Sequence, residues 1–497
     1  DSIEHLQRVM TDSGWGQIPV VHPESGEILG IVTRTDLLKT LTKQKSRPGL
    51  QNLADRLASA LPPIRLALLN VVAEAATHQH CALFIVGGFV RDLLLERHSL
   101  DFDLVVEGDA IKLAEGLCKR FGGRLTTHSQ FGTAKWMVDG VRSSLAKRLG
   151  YASESDQLPE FLDLISARTE FYTHPTALPT VERGNIKLDL HRRDFTINTL
   201  ALRLDGNHYG ELHDYWGGVN DLRDKQVRVL HSLSFVDDPT RMLRAVRFEQ
   251  RFQFEIEPRT LELLIQALSL VNRISGDRIR HELDHMLDEE ERVNMLARLE
   301  QLGLLPAIHP SIRWDGQIEQ RMRALSHDPL PFQEGLPADV LASLSRRKLA
   351  YMLWMIGLPG VQVRDVLHRL KYPVVLARQV EAACCLWNDL PALTHASPSQ
   401  VVKRLEDVSA LAVYANCLAS QDGRVCSVLQ SYLTRWRYIA PRYTGYDLRN
   451  RGLPPGPVYK RILGALKDAL LDGTVTSAEQ EQELFEALIS QEQNNPE

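Results

Sequence analysis

A change in hydrophobic pattern near residue 214 constrains the fold of this 497-residue chain more than any other feature. Before it, short strand-like apolar runs alternate with helical segments. From about Trp216 to the end, apolar residues recur almost wholly at spacings of three and four, which is typical of amphipathic helices. The sequence therefore predicts an α/β or α+β region followed by a region that is almost wholly helical.

Length and composition bound the remaining possibilities. At roughly 100–200 residues per domain, the chain has room for three or more domains. No apolar run of about 18 residues occurs, so we expect a soluble protein with no membrane partner. Six cysteines without CxxC pairs fit a reducing cytosol, and a cytoplasmic location is expected. Because the net charge is −5, any nucleic-acid surface must be a local patch.

The N-terminal residues predict a β-β-α unit. Residues 18–32 are typical of two strands joined by a turn, and the following helix is predicted to begin with Thr33 as its N-cap. A polar segment broken by Pro48 and Gly49 indicates a linker, after which a new domain begins. Since the chain starts at Asp1 without a methionine or a signal-peptide pattern, we expect a fragment of a longer protein.

The segment from Leu83 to Ala110 carries the first chemical motif. A predicted strand runs into Gly87 and Gly88 at the start of a short helix, where backbone N–H groups and the helix dipole favour an anion. Arg91 lies one turn later, within reach of a phosphate. A tight turn with a solvated arginine is the alternative interpretation.

Two aspartates follow on the next predicted strand. Asp101 and Asp103 would point to the same face, with Cβ atoms about 7 Å apart, which suits a pair of Mg²⁺ ions. Asp163, in a later strand-like segment, is the candidate third acid, which would deprotonate a hydroxyl or complete the metal shell. Solvated strand-end acids are the alternative. A metal site beside a phosphate cradle indicates nucleotidyl transfer.

The segment HRRDFTINTLAL contains adjacent arginines. It is predicted to place Arg192, Arg193 and Asp194 at a helix start, with Asn198 one turn later. The arginines are candidate phosphate ligands, and Asp194 would either cap the helix or orient an arginine.

The segment VDDPTRMLRAVRFEQRF predicts a helix that opens at its DDP sequence, with the proline in the first turn. Arg241, Arg244 and Arg247 recur every three residues and form a basic stripe. Either the stripe is a solvated face, or Asp238 and Arg241 offer hydrogen bonds to a base edge. In the second interpretation Arg244 and Arg247 face phosphates.

These motifs, in this order, resemble the class II tRNA nucleotidyltransferase and poly(A) polymerase family of the polymerase β superfamily. GGFVRD with DFD matches its first motif, RRDFTIN its second, GGVNDLRDKQVR its neck segment and DDPTRMLRAVRF its base-templating helix. The resemblance covers about residues 61–290 and returns at YTGYDLRNRGLPPGPVYKRIL, similar to the family's tail. Gly30, Thr33 and Asp36 resemble half of a CBS motif, which binds adenosine ligands and precedes the head in one branch of this family. A helix cap without a ligand is the alternative for this half-motif.

The resemblance implies roles for individual residues. Asp101 and Asp103 would ligate two Mg²⁺ ions, and Asp163 would be the third acid. Asp238 and Arg241 would pair with the incoming base, so that protein rather than a nucleic-acid template selects CTP or ATP. The implied nucleotide-binding residues are Gly87, Gly88, Arg91, Arg193, Asp194, Asn198, Asp238, Arg241, Arg244 and Arg247.

The resemblance also implies the α+β class, with a small mixed β-sheet head followed by an elongated all-helical region, and it implies a domain order. A partial CBS motif (1–48) and a linker (49–60) precede a catalytic head (61–215), a helical base-recognising neck (216–302) and a tRNA-binding body and tail (303–497). The candidate tRNA contacts are Arg435, Arg437, Arg442, Lys460 and Arg461. Paired CBS units would favour a homodimer. Two features depart from the family: position 237 is Asp instead of Glu, and residues 139–158 form an insert with no assigned role.

The implied reaction is attack of the tRNA 3′-hydroxyl on the α-phosphate of CTP or ATP, with pyrophosphate leaving under two-metal catalysis. The product would be CCA, only CC or the terminal A. Poly(A) polymerase is one alternative, since the motifs are shared. An adenosine-nucleotide sensor that binds RNA without catalysis is a second.

Overall fold

The structure is a computed structural model that describes residue 9 and residues 17–23, 25–33, 51–100, 103–171 and 180–494. The chain divides into two compact units. We call them the sheet unit (residues 1–170, 181–193 and 197–219) and the helical unit (residues 171–180, 194–196 and 220–497). No helix in the described part of the chain is long and apolar enough to cross a membrane.

Thirteen short strands occur among the described residues. They are β1 Gln17–Val21, β2 Ile28–Thr33, β3 Ala82–Val86, β4 Asp103–Glu107, β5 Arg124–His128, β6 Thr133–Met137, β7 Phe161–Ser166, β8 Arg168–Phe171, β9 Thr180–Arg183, β10 Leu200–Arg203, β11 Leu212–Asp214, β12 Gln226–Val227 and β13 Glu255–Ile256. Seven of them form a mixed sheet in the order β11–β10–β3–β4–β7–β6–β5. In it β4 and β7 run parallel, and every other neighbouring pair is antiparallel. The pairs β1–β2, β8–β9 and β12–β13 form separate two-stranded sheets.

Six helices accompany the large sheet. They are α1 Ala54–Ala60, α2 Pro63–His78, α3 Gly88–Leu94, α4 Ala110–Phe121, α5 Arg142–Leu149 and α6 Ile186–His191. The helix α4 packs against β6 and β7, and α2 packs against β3. Leu83, Ile85, Leu104 and Val105 in the central strands are fully buried. Strands covered on both faces are apolar at consecutive positions, which is the pattern that the sequence shows there.

The part of the described chain from residue 218 onward has helices as its only regular elements apart from β12 and β13. Its helices are α7 Gly218–Arg223, α8 Ser234–Asp237, α9 Thr240–Phe252, α10 Pro258–Ala267, α11 Gly276–Asp288, α12 Arg292–Gln301, α13 Leu304–Ile308, α14 Gly316–Arg323, α15 Ala338–Ser343, α16 Arg346–Met355, α17 Gly360–Arg369, α18 Val374–Leu393, α19 Pro398–Leu405, α20 Ala410–Ala419, α21 Gly423–Thr434, α22 Gly445–Asn450, α23 Pro457–Leu471 and α24 Ala478–Asn494. The predicted α+β class, with a mixed sheet followed by a helical region, is confirmed.

One local prediction is wrong. Arg192, Arg193 and Asp194 do not begin a helix, because α6 lies before them and ends at His191. Asn185 caps α6 by accepting a hydrogen bond from the backbone N–H of Leu188 at 3.0 Å. The asparagine thus sets the start of the helix upstream of the arginines, and only a short 3₁₀ turn follows at residues 196–198.

Several N-terminal predictions cannot be compared with the structure. The helix expected after Thr33, the half-motif residue Asp36 and the linker residues Pro48 and Gly49 lie outside the described residues. The strand-turn-strand expected over residues 18–32 is present as β1 and β2, which pair antiparallel.

Candidate active site

The turn after β3 forms the first part of the site in the sheet unit. Gly87 has a φ of +71°, in the left-handed region that disfavours residues with a Cβ. Its N–H donates to the carbonyl of Leu200 at 2.9 Å, and its carbonyl accepts from the N–H of Arg91 at 3.1 Å, which starts α3. A Cβ on Gly87 would lie 2.5 Å from Nη1 of Arg193. Both the backbone conformation and the nearby arginine therefore require glycine here.

We expect Gly87→Ala to destabilise the sheet unit more than Gly206→Ala. Gly206 also has a positive φ, +54°, but a Cβ there would meet nothing within 4 Å. Gly206→Ala should cost about 1–2 kcal/mol from its positive φ, and Gly87→Ala about 1–3 kcal/mol, because Gly87 combines φ +71° with ψ −125°, a conformation used almost only by glycine. Gly87→Ala should lose up to about 1 kcal/mol more, because Nη1 of Arg193 has to shift away from the new Cβ, which weakens the contact of this guanidinium with Asp189. Urea unfolding measures both losses, and equal losses would show that the Arg193 contact contributes nothing.

Arg91 is buried against this turn. Its side chain donates from Nη1 to Oδ1 of Asn198 at 2.6 Å and from Nε to Oδ1 of Asp92 at 2.9 Å. Its guanidinium lies close to Gly88, since a Cβ on that glycine would be 3.5 Å from Nη2. The alternative of a solvated arginine is therefore wrong, because the whole residue is only 5% exposed.

A fully buried aspartate, Asp189 on α6, anchors the adjacent arginines. It lies 3.0 Å from Nη2 of Arg192 and 3.5 Å from Nη2 of Arg193. The Nε of Arg193 is buried and has no hydrogen-bond partner among the described residues. Asp189 was not among the predicted site residues, although its spacing of three and four residues from the arginines is typical of such pairs.

The first residue of β4, Asp103, adjoins the glycine turn. In the β3–β4 ladder it lies opposite Val86, the residue directly before Gly87. A carboxylate is thus next to the place where backbone N–H groups and the start of α3 favour an anion. The other predicted metal ligand, Asp101, lies outside the described residues.

Asp163 lies on β7, the parallel neighbour of β4. The register pairs Leu104 with Leu164, so Asp103 and Asp163 occupy corresponding positions on adjacent strands. Both aspartates line a cavity of about 520 Å³, whose other lining residues include Arg65 and Arg142. The structure therefore brings two of the three predicted acids together.

Lys135 on β6 is a site residue that the sequence analysis missed. Its Nζ lies 3.5 Å from Oδ1 of Asp163 and 3.7 Å from the ring centroid of Phe161. Successive side chains of β6 point to opposite faces of the sheet. Ala134 and Trp136 are buried on one face, and Lys135 lies on the other. Only the pairing of β6 with β7 shows which acid this face meets.

The chemistry of these donors fits a divalent cation. Carboxylate oxygens are the ligands that Mg²⁺ prefers in proteins, and Asp103 and Asp163 present them to one cavity. Among the residues that the structure describes, which exclude Asp101, no group of three or more metal-ligating side chains is found.

In the helical unit, Asp238 lies between α8 and α9. Its Oδ1 accepts hydrogen bonds from Oγ1 of Thr240 at 2.7 Å and from Nη2 of Arg278 at 2.7 Å. Pro239 is the N-cap of α9, one position before the first-turn position predicted for it. The acid is thus fixed at the start of α9, and Arg278 is a further residue that the sequence analysis missed.

The basic stripe on α9 faces polar groups inside the helical unit. Arg241 and Arg247 are buried, and Arg241 donates from Nη1 to Oγ of Ser234 at 2.6 Å. Arg247 lies 3.1 Å from Glu282 on α11. The interpretation as a solvated face is wrong, because Arg241 and Arg247 are buried and both Arg244 and Arg247 contact Glu282 on α11.

A four-residue ionic network links this stripe to Asp194. Arg244 lies 2.6 Å from Asp194 and 3.4 Å from Glu282, which also contacts Arg247. Burial disfavours the charged form of Arg244, but the charges of Asp194 and Glu282 outweigh it and raise the pKa of this guanidinium. Burial lowers the pKa of Arg247. Asp194 thus contacts an arginine, which is one of its two predicted roles.

The five predicted tRNA-contacting residues differ in whether an acidic partner is found for them among the described residues. Arg437 pairs with Asp339, Arg442 with Glu481 and Arg461 with Glu492. Arg435 and Lys460 are exposed. A separate apolar core holds the last helices together, with Tyr443 stacked on Phe485 at 3.9 Å between ring centroids.

Known families match three parts of the chain. Residues 83–228 match the poly A polymerase head domain, residues 253–314 the probable RNA and SrmB-binding site of polymerase A, and residues 1–43 the CBS domain. An A-adding tRNA nucleotidyltransferase of Halalkalibacterium halodurans is 31% identical over 428 residues, which cover 85% of this chain and 92% of the relative. The chain belongs to the class II tRNA nucleotidyltransferase family. The predicted resemblance, including its CBS part, is confirmed.

Two further similarities refine this assignment. An A-adding tRNA nucleotidyltransferase of Geobacter sulfurreducens is 34% identical over 487 residues, 92% of this chain and 52% of the relative. This chain thus spans about half the length of that relative. The structure of a Thermotoga maritima CCA-adding enzyme complexed with tRNA matches with a TM-score of 0.67 and 28% identity, over 89% of this chain and 98% of that one. Both of these relatives are named as enzymes that add nucleotides to tRNA or bind it.

Proposed function

We propose that this chain transfers a nucleotide to the 3′ end of tRNA and that its product is the terminal A, added from ATP. The main support for this chemistry is the position of Asp103. It adjoins the Gly87 turn and shares a cavity with Asp163, so two carboxylates lie beside a turn that favours an anion. The choice of A over CC or CCA is supported by the two A-adding relatives, which are 31% and 34% identical to this chain.

The proposed metal ligands are Asp101 and Asp103, which would hold two Mg²⁺ ions. When bound, these ions would make the hydroxyl more acidic and stabilise the charge on the leaving pyrophosphate. The 3′-hydroxyl oxygen of tRNA forms a bond to the α-phosphorus of ATP as the bond to pyrophosphate breaks. Asp163 is the proposed acceptor of the hydroxyl proton, and Lys135 holds this carboxylate in place.

Phosphate binding is assigned to the glycine turn and Arg193. The N–H groups at the start of α3 favour an anion, and the buried Nε of Arg193 is a donor without a partner among the described residues. Arg91 and Asn198 act as positioning residues, because their hydrogen bond holds α3 against the strand that follows the second motif. Arg244 and Arg247, held by Asp194 and Glu282, are proposed to face the phosphates and sugar.

Base selection is assigned to Asp238 and Arg241. We expect Asp238→Ala to reduce the preference for ATP over CTP by about 10- to 100-fold, since one lost hydrogen bond to a base costs about 1–3 kcal/mol. Asp277→Ala, at an exposed acid of α11, is the control. The measurement is kcat/KM for each nucleotide with both variants. Unchanged selectivity in Asp238→Ala would remove this residue from base recognition.

Product length tests the proposed function against its closest rival. We expect a tRNA transcript ending in CC to grow by one nucleotide when incubated with the chain, ATP and Mg²⁺. A poly(A) polymerase would instead extend it, and unrelated RNA, into long A tails. A lack of incorporation despite tRNA binding would favour the non-catalytic alternative.

Two expectations about the cellular context stay predictions. One is a cytoplasmic location. The other is a homodimer formed through paired CBS units, and a monomeric mass of the full-length protein in solution would contradict it.

A further inference from the structure

The insert, residues 139–158, forms a short helical element in the sheet unit. It contains α5 (Arg142–Leu149) and a 3₁₀ segment, Ala152–Gln157. Gly150 ends α5 in the left-handed conformation, and the last turn of the helix carries Lys147 and Arg148. The roles proposed above do not use these two cations.

Arg148 meets Arg120, a residue in the last turn of α4. Its Nη1 donates to the backbone carbonyl of Arg120 at 2.6 Å. The guanidinium carbons of Arg120 and Arg148 lie 4.9 and 4.8 Å from the ring centroid of Phe121. The ring of Phe121 is buried, whereas Arg120 and Arg148 are exposed. Cation–π contacts with this one ring therefore keep the two positively charged guanidinium groups close together at the surface.

We call Lys119, Arg120, Lys147 and Arg148 the insert patch. All four residues are exposed, and in the described part of the chain none of them forms an ion pair with an acid. Arg124 on the neighbouring strand differs, since it pairs with Asp139 at 3.1 Å. The carboxyl ends of α4 and α5 each supply only about half a negative charge, which does not balance four cations.

We propose that the insert patch binds backbone phosphates of an RNA strand. Planar guanidinium groups donate paired hydrogen bonds to phosphate oxygens. A compact group of cations in a chain with a net charge of −5 is the kind of local patch that a nucleic acid requires. The inference rests on the proposed function, because tRNA is taken as the strand that reaches the patch.

The test is the salt dependence of tRNA binding by the chain with Arg120→Gln and Arg148→Gln together. Each lost phosphate contact lowers the slope of log Kd against log salt by about 0.7–0.9, so we expect a decrease of about 1.5 in the slope. At low salt, tRNA should bind roughly 10-fold more weakly. The KM for ATP and the rate at saturating tRNA should stay at the wild-type values.

Two matched variants separate charge from structure. The double Arg→Lys variant loses the planar guanidinium groups but keeps both charges, and it should retain most of the wild-type slope. Arg259→Gln removes an exposed arginine that already pairs with Glu262, and it should leave the slope unchanged. A wild-type slope in the double Gln variant, or an equal loss in the double Lys variant, would overturn the proposal.

Two other results have distinct meanings. If the patch variants bind tRNA normally but lose binding to poly-glutamate, the patch recognises an acidic protein and the RNA proposal is wrong. If the wild-type chain binds tRNA with the expected patch-dependent slope but transfers no nucleotide, the proposed function fails while the patch assignment stands.

Discussion

Asp103→Ala should abolish nucleotide transfer and leave tRNA binding nearly unchanged. The carboxylate is exposed to the cavity that it shares with Asp163 and lies beside the glycine turn, so its removal takes away a proposed metal ligand at the reacting phosphate. We expect a loss of roughly a thousandfold or more in kcat/KM. Single-turnover incorporation and filter binding of the same tRNA measure the two effects separately.

Asp139→Ala is the matched control for this variant. Asp139 is an exposed aspartate of the same unit, and its partner is Arg124. Exposed pairs of this kind contribute about 0–1 kcal/mol, so we expect transfer at the wild-type rate. Retained activity in Asp103→Ala would remove the metal assignment, and equal losses in both variants would indicate a general defect of folding.

Glu282→Ala should be among the most destabilising substitutions in the helical unit. Glu282 and Arg247 are each about 9% exposed, and the same carboxylate also contacts Arg244. Removing it leaves a buried arginine without its counter-charge, and such losses cost about 3–5 kcal/mol. Urea unfolding followed by circular dichroism measures the free energy of unfolding.

Glu289→Ala is the comparison for Glu282→Ala. Its carboxylate pairs with Arg251, a residue of the same helix α9, but that pair is more exposed. We expect a loss of about 0–1 kcal/mol. If Glu282→Ala were no more destabilising than Glu289→Ala, the network would not support α9 and the arginine positions would need another explanation.

Local pattern predicted the elements that carry the site. The apolar runs of β3 and β4, the glycines between β3 and α3 and the three-residue spacing of the α9 arginines all follow from neighbouring residues. These features depend on the periodicity of a strand or a helix, which the sequence displays directly.

Contacts between distant segments could not be predicted in this way. Glu282 follows Arg244 by 38 residues, and Lys135 meets Asp163 only through the pairing of β6 with β7. Hydrophobic periodicity shows which face of an element is buried, but not which polar side chain on another element satisfies a buried charge. The error at Arg192 had a local cause, since the cap at Asn185 determined where the helix begins.

The most direct test of the proposed function is a matrix of tRNA ends and nucleotides. Transcripts that end before the CC, after the CC and after the complete CCA are each incubated with CTP or ATP, and products are resolved to single nucleotides. We predict one added A on the transcript ending in CC, no addition of C to any transcript and no extension of the complete tRNA. Addition of C to the shortest transcript, or tails of many A residues on any of them, would contradict the proposed function.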